Sequence, residues 1–140
     1  MADPAPILAA NLARSLSALT RGLTYPSESD FPFEPFWTSA PLDMPLTPET
    51  FRSAAGIARR YEIRLRPARE TLDRLVDMWS TEDPHQAAVF RMLAVVMDAA
   101  MTGLTYAHAG GDNIVRARVF LFGRVADGRL AGLRSVSIET

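Results

Sequence analysis

The segment VRARVFLFGRVADGRLAGLRSVSIET, residues 115–140, decides the fold. From Val115 to Phe122, valine, alanine and leucine alternate with arginine and phenylalanine, which is the period-two pattern of a β-strand. Asp127-Gly128 supplies a turn, and residues 130–138 return as a second strand. The segment therefore predicts a β-hairpin whose second strand runs into the end of the chain.

Upstream of this hairpin, the hydrophobic spacing predicts four helices and two further strands. The helices cover residues 5–22, 48–56, 68–78 and 84–101, with Gly103 closing the last, and the strands cover residues 33–38 and 61–66. Pro32 and Pro35 indicate that the first of these strands is an edge strand or an irregular one. This order favours an α/β fold, a three-layer α/β/α sandwich in which a small, mostly antiparallel sheet has helices on both faces.

Length and composition indicate one soluble unit. With 140 residues, 48% of them hydrophobic, we expect residues 1–140 to form a single domain. The sequence has no cysteine, which excludes a disulfide scaffold, a thiolate metal site and a cysteine nucleophile, and fits the cytoplasm. Asp3 and Arg14 argue against a signal peptide, and no apolar run approaches the roughly 20 residues that span a membrane.

Charge is unevenly distributed along the chain. Residues 1–51 carry six acidic residues and two arginines, a net charge of −4, whereas residues 52–140 carry ten acidic residues and thirteen arginines, a net charge of +3. An acidic face of this kind is attracted to a positively charged partner, such as the substrate groove of an enzyme that binds polyanions.

Two acidic or oxygen-rich segments are candidates for chemistry. Glu28, Asp30 and Glu34 could bind a divalent cation or supply a general base, but their spacing is equally that of a turn whose side chains cap backbone amides. Thr140 would present a carboxylate beside a hydroxyl at the end of a strand, a pair of oxygen ligands that suits Mg²⁺. Most terminal residues have no such role.

Four motifs together resemble the nuclease A inhibitor family. They are Ser27-Glu-Ser-Asp-Phe-Pro-Phe-Glu34 with Phe36, Phe120-Leu-Phe-Gly123, Gly128-Arg-Leu-Ala-Gly132 and the final Glu139-Thr140. Members of this family are small cytoplasmic proteins that occupy the active site of a sugar-non-specific DNA/RNA nuclease. The resemblance implies the α/β/α architecture, a 1:1 complex with a Mg²⁺-dependent nuclease and a monomeric free protein.

The resemblance also implies roles for three residues. Glu28 matches the family glutamate that reaches into the nuclease active site, and Thr140 matches the terminal threonine whose oxygens are directed at the nuclease's catalytic Mg²⁺. Trp79 matches a tryptophan, in the loop before the long helix, that takes part in nuclease binding; from the residues alone it is equally a core residue. Asp30 and Glu34 are expected to be structural. The inhibitor would have no cofactor of its own, and the Mg²⁺ would be bridged only in the complex.

The remaining residues give no support for an enzyme. His85 and His108 are expected to be surface residues, the second in a loop, without another ligand at a metal-binding spacing. Trp37 is expected in the core. No P-loop, dinucleotide-binding or nucleophile-elbow motif is present.

An alternative function comes from residues 59–69, where five arginines surround Tyr61. On a strand, Arg60, Arg64 and Arg66 would share one face and could follow the phosphates of a nucleic acid. The competing interpretation is an edge strand protected by charge. The net charge of −1 favours the edge strand, and no direct nucleic-acid binding is expected.

Overall fold

The computed structural model of the protein describes residues 5–26 and 31–139. Its helices are α1 (Ala5–Leu19), α2 (Pro48–Ala55), α3 (Ala68–Glu82) and α4 (Pro84–Ala100). Its strands are β1 (Thr24–Tyr25), β2 (Phe31–Pro32), β3 (Glu34–Trp37), β4 (Glu62–Pro67), β5 (Thr102–Gly110), β6 (Arg116–Arg124) and β7 (Leu130–Ile138).

Strands β3 to β7 form one antiparallel sheet in the order β3-β7-β6-β5-β4, and β1 pairs with β2 in a separate two-stranded sheet. The predicted hairpin is confirmed, because β6 and β7 pair from Arg116 opposite Ile138 to Arg124 opposite Leu130. In its turn, the Asp127 carboxylate accepts a 3.0 Å hydrogen bond from the Arg129 backbone N–H. The strand that contains Pro35 lies at the edge of the sheet, as its prolines predicted.

Helices cover both faces of the five-stranded sheet, which confirms the predicted α/β/α sandwich. On one face, side chains from α1, α3 and α4 pack against Val119, Leu121 and Leu133. On the other face, Phe51 of α2 packs against Phe120 and its neighbours. Because side chains alternate between the faces of a strand, the uninterrupted apolar run of β6 supplies both cores.

The α2 face is an aromatic cluster of four phenylalanines: Phe36, Phe51, Phe120 and Phe122. Phe51 and Phe122 are stacked with ring centroids 4.9 Å apart, and the other contacts are edge-to-face. Gly132 lies beneath this cluster, where a Cβ would sit 2.0 Å from the backbone oxygen of Leu121. Only glycine fits there without moving the backbone.

Two of the predicted boundaries differ most from the structure. A strand, β5, follows the long helix where the sequence suggested a loop after Gly103. Its alanines and glycines have weak strand propensity, so the hydrogen bonds to β4 and β6 decide its conformation. Helix α3 continues to Glu82 rather than ending at Met78, and its last turn leads directly into the Asp83 cap of α4.

Trp37 is not a core residue, contrary to the prediction. It lies on edge strand β3 with 37% of its surface exposed, and the guanidinium of Arg14 lies 5.2 Å from its ring centroid. Its neighbour Phe36 points inward to the aromatic cluster, so the alternation of the strand directs Trp37 outward.

Candidate functional site

Glu28, Asp30 and Thr140 lie outside the described residues. The structure describes the residues that flank them in the chain. On either side of residues 27–30, Tyr25 pairs with Phe31 and Thr24 with Pro32, forming the short ladder between β1 and β2. The described residues on the two sides of the 27–30 segment are therefore paired with each other.

The same ladder is attached to β7. The hydroxyl of Ser135 lies 3.1 Å from the carbonyl oxygen of Phe31 and 3.0 Å from that of Pro32, and donates to them. The guanidinium of Arg116, on β6, lies 5.1 Å from the centroid of the Phe31 ring. These contacts hold β2, which directly follows the 27–30 segment, against β6 and β7.

The C-terminal strand is held as far as residue 139. Ile138 pairs with Arg116, and the backbone N–H of Glu139 donates a 2.7 Å hydrogen bond to the carbonyl oxygen of Val115. Ser135 and Ile138 are three residues apart, about 10 Å along a strand. The described residues next to the 27–30 segment and next to Thr140 thus contact the C-terminal half of β7 and the residue just before its partner strand β6, respectively, although they are far apart in sequence.

Glu139 also has a side-chain partner that the sequence did not reveal. Its carboxylate pairs with Nε2 of His108. His108 lies within β5 and is partly buried, so the expectation of a surface histidine in a loop was wrong. The two residues are 31 positions apart, and only the pairing of β5, β6 and β7 brings them together.

Trp79 lies inside α3, not in a loop as expected. Its indole packs against the core between the sheet and helices α1, α3 and α4, and its Nε1 is buried without a hydrogen-bond partner in the described part of the chain. Helix α3 starts where β4 ends and returns along β4 and β5. This direction carries Trp79 toward the end of the sheet where Ile138 lies.

Glu34 has a structural partner, in line with the role expected for it. It stands opposite Arg134 in the pairing of β3 with β7, and its carboxylate lies 3.5 Å from the Arg134 guanidinium. Both side chains are largely exposed, so this pair contributes little to stability.

The arginine-rich segment does not form one continuous face. Arg60 precedes β4 and lies over the Tyr61 ring, so it does not share a strand face with Arg64 and Arg66 as predicted. Arg69 lies in α3, 3.6 Å from Asp98 of α4. Arg64 and Arg66 remain together on β4, which is an edge strand as the competing interpretation held.

Among the described residues, three ionisable groups have shifted pKa values. Hydrogen bonds from the Gln86 side chain and backbone lower the pKa of Asp83, the N-cap of α4. A hydrogen bond from the Arg129 backbone lowers the pKa of Asp127. Burial raises the pKa of Tyr106, whose hydroxyl lies 3.1 Å from that of Tyr25. Tyr106 therefore remains a neutral hydrogen-bonding group.

Within residues 5–26 and 31–139, the acidic and histidine side chains form no cluster of three that could hold a metal ion. No helix of the described chain is long and apolar enough to cross a membrane. Of the candidates Glu28, Trp79 and Thr140, Trp79 is the one that lies within these ranges.

The fold defines a small α/β/α sandwich protein built on a five-stranded antiparallel sheet. A family model described as nuclease A inhibitor-like protein matches residues 10–140, nearly the whole chain. The chain belongs to this family. No curated protein matches it at a significant level.

Proposed function

We propose that the protein inhibits a sugar-non-specific, Mg²⁺-dependent DNA/RNA endonuclease by placing the 27–30 segment and Thr140 in its active site. Membership of the nuclease A inhibitor-like family supports inhibition of a nuclease in general. The observation that supports the finer proposal is that the described residues beside both segments are hydrogen-bonded to the sheet, Phe31 and Pro32 through Ser135 and Glu139 through Val115.

This attachment suits inhibition for a thermodynamic reason. A flexible loop and a free terminus would each lose conformational entropy on entering an active site, which lowers affinity. Hydrogen bonds at Phe31, Pro32 and Glu139 order the flanking backbone before binding. Much of that entropy is therefore lost during folding, not during association.

The chemistry of the two segments suits a nuclease active site. In the proposed complex Glu28 pairs with a cationic group of the nuclease, and the carboxylate and hydroxyl of Thr140 occupy exchangeable positions on its Mg²⁺. These oxygens replace substrate phosphate without offering a bond to cleave. Trp79 adds an aromatic contact beside them, and the acidic first third of the chain favours approach to a positive groove.

The proposed inhibitor has no catalytic activity and no cofactor of its own, and it binds Mg²⁺ only in the complex. It forms a 1:1 complex in the cytoplasm, a compartment that fits a chain without cysteine.

The test is a titration of a metal-dependent non-specific nuclease with the purified protein. We expect DNA cleavage to cease at one equivalent of inhibitor. Glu28→Ala should raise the inhibition constant about 30-fold or more, because removing one partner of a buried interfacial charge pair costs roughly 2–5 kcal/mol. Asp30→Ala is the matched control, since it removes a carboxylate two residues away.

Equal, small losses of inhibition in Glu28→Ala and Asp30→Ala would contradict the role of Glu28. If the protein leaves the nuclease active but is retained on DNA in a salt-dependent manner, the alternative function as a nucleic-acid-binding module through residues 59–69 is supported instead. Metal-dependent turnover of DNA by the pure protein would contradict the absence of catalysis.

A further inference from the structure

A cavity of about 250 Å³ lies beside β4 and β5, on the face covered by α3. Its lining combines side chains from four parts of the chain: Tyr25, Arg64, Arg66, Arg74, Tyr106 and His108. Arg66 stands opposite Tyr106 and Arg64 opposite His108 in the β4–β5 pairing, and α3 adds Arg74 from above. The cavity therefore gathers three arginines that the sequence separates.

The cavity is rich in hydrogen-bond donors. A guanidinium has five N–H donors and no acceptor. The hydroxyls of Tyr25 and Tyr106 share one hydrogen bond of 3.1 Å, which uses one of their two protons and leaves the other for a further acceptor. Burial raises the pKa of Tyr106, so its hydroxyl keeps its proton. A ligand that offers only acceptors satisfies all these groups.

Negative charge from the described residues compensates this cavity only in part. The Arg64 guanidinium lies 3.4 Å from the Glu62 carboxylate, but both side chains are more than half exposed, so the pair is weak. The carboxylate of Glu139 pairs with His108. Within the described ranges, no carboxylate lies within ion-pair distance of Arg66 or Arg74.

We propose that this cavity binds the phosphate group of a phosphomonoester. A phosphate dianion brings acceptor oxygens for the guanidiniums and for the phenolic proton, and arginine forks match its geometry. A carboxylate brings a single charge and leaves most of the three guanidiniums without a counter-charge. The volume is below the usual range of roughly 300–1,000 Å³ for ligand pockets, which restricts the ligand to a small one.

The phosphate could belong to a free mononucleotide or to the phosphorylated end of an oligonucleotide. Both present the same terminal group, and a binding assay separates them. Calorimetric titrations of the full chain would use inorganic phosphate, adenosine monophosphate, adenosine, acetate, and a trinucleotide with and without a 5′-phosphate. We expect phosphate and the monophosphate to bind, and adenosine and acetate not to bind.

The two trinucleotides identify the source of the phosphate. Tighter binding of the 5′-phosphorylated trinucleotide than of the monophosphate supports an oligonucleotide end, and the reverse order supports a free nucleotide. Equal binding of the trinucleotides with and without the phosphate would overturn the proposal, because it would indicate a track for internal phosphates along β4.

Matched arginine variants test the cavity itself. Arg66→Ala and Arg74→Ala should each weaken phosphate binding about tenfold, because each removes charge-assisted hydrogen bonds. Arg69→Ala is the control, since Arg69 is an exposed arginine on α3 that pairs with Asp98 outside the cavity lining. Circular dichroism and urea unfolding would verify the fold of each variant.

Undiminished phosphate affinity in a folded Arg66→Ala/Arg74→Ala double variant would overturn the proposal, as would an equal loss in Arg69→Ala. Phosphate binding needs no nuclease, so its outcome is independent of the proposed inhibition. Conversely, we expect the double variant to remain a nuclease inhibitor.

Discussion

Ser135→Ala isolates the contact that holds β2, which directly follows the 27–30 segment, against β7. The Ser135 hydroxyl is buried, at 7% residue exposure, and donates to the carbonyl oxygens of Phe31 and Pro32 at 3.1 and 3.0 Å. Alanine removes this hydrogen bond and keeps the strand geometry. The substitution should therefore loosen β2 without changing the sheet.

The expected loss of unfolding free energy is that of a single hydrogen bond, because the Ser135 hydroxyl has one proton to donate. The net contribution of a hydrogen bond is about 0.5–1.5 kcal/mol, and a buried acceptor left without a partner costs more. Phe31 is half-buried and Pro32 exposed, so water can reach the released carbonyls and the loss should be about 1 kcal/mol. If the bound conformation needs this contact, inhibition should weaken by up to the same free energy, about fivefold.

Ser137→Ala is the matched control. Ser137 lies two residues further on the same face of β7, is 8% exposed, and its side chain has no hydrogen bond to the described residues. Urea unfolding should show a loss of about 1 kcal/mol for Ser135→Ala and almost none for Ser137→Ala. Nuclease titration should show weaker inhibition for Ser135→Ala alone. Equal results for the two serines in both assays would refute the reasoning.

Three further predictions concern the terminus, the sheet and a helix cap. Deleting Thr140, or adding a C-terminal tag, should leave the unfolding transition unchanged but reduce inhibition, most strongly with Mg²⁺ present; a tagged protein of full potency would contradict the metal bridge. Gly132→Ala should cost about 3 kcal/mol in urea unfolding, because its Cβ would meet backbone, and an unchanged midpoint would refute the packing argument. Asp83→Asn should be less stable than wild type at pH 7. Hydrogen bonds from Gln86 lower the folded-state pKa of Asp83, so its stabilisation is present above its unfolded pKa of about 3.9 and is lost as pH falls through the folded value. The stability difference should shrink in acid, and a constant difference would exclude the carboxylate as its cause.

Local sequence patterns were sufficient to predict an element wherever neighbouring residues specify its conformation. The alternation in β6 and β7, with Asp127-Gly128 between them, predicted the hairpin. At α2, Thr47 and Thr50 form a capping box and Gly56 adopts a φ of 68°, the conformation that glycine favours at a helix end. Such signals arise from neighbouring residues, so the sequence displays them directly.

Long-range contacts overrode local signals elsewhere. The small residues of β5 give little strand signal, and this strand is fixed by its neighbours on both sides. The same strand brings His108 to Glu139, a pair that no spacing rule predicts. Trp37 lies in an apolar strand and was therefore predicted in the core, yet Phe36 takes the inward position of that strand.

The sequence by itself determined the α/β/α class, the hairpin and the family, because these depend on periodicity and on motifs that are continuous in the chain. Only the tertiary structure decided which distant residues meet. It attached β2, next to residues 27–30, to β7. It also distributed the arginines of residues 59–69 over different elements, and placed two of them beside Arg74 in one cavity. The physical reason is that strand register and helix packing set these distances, and both are fixed by cooperative burial of two cores on opposite faces of one sheet.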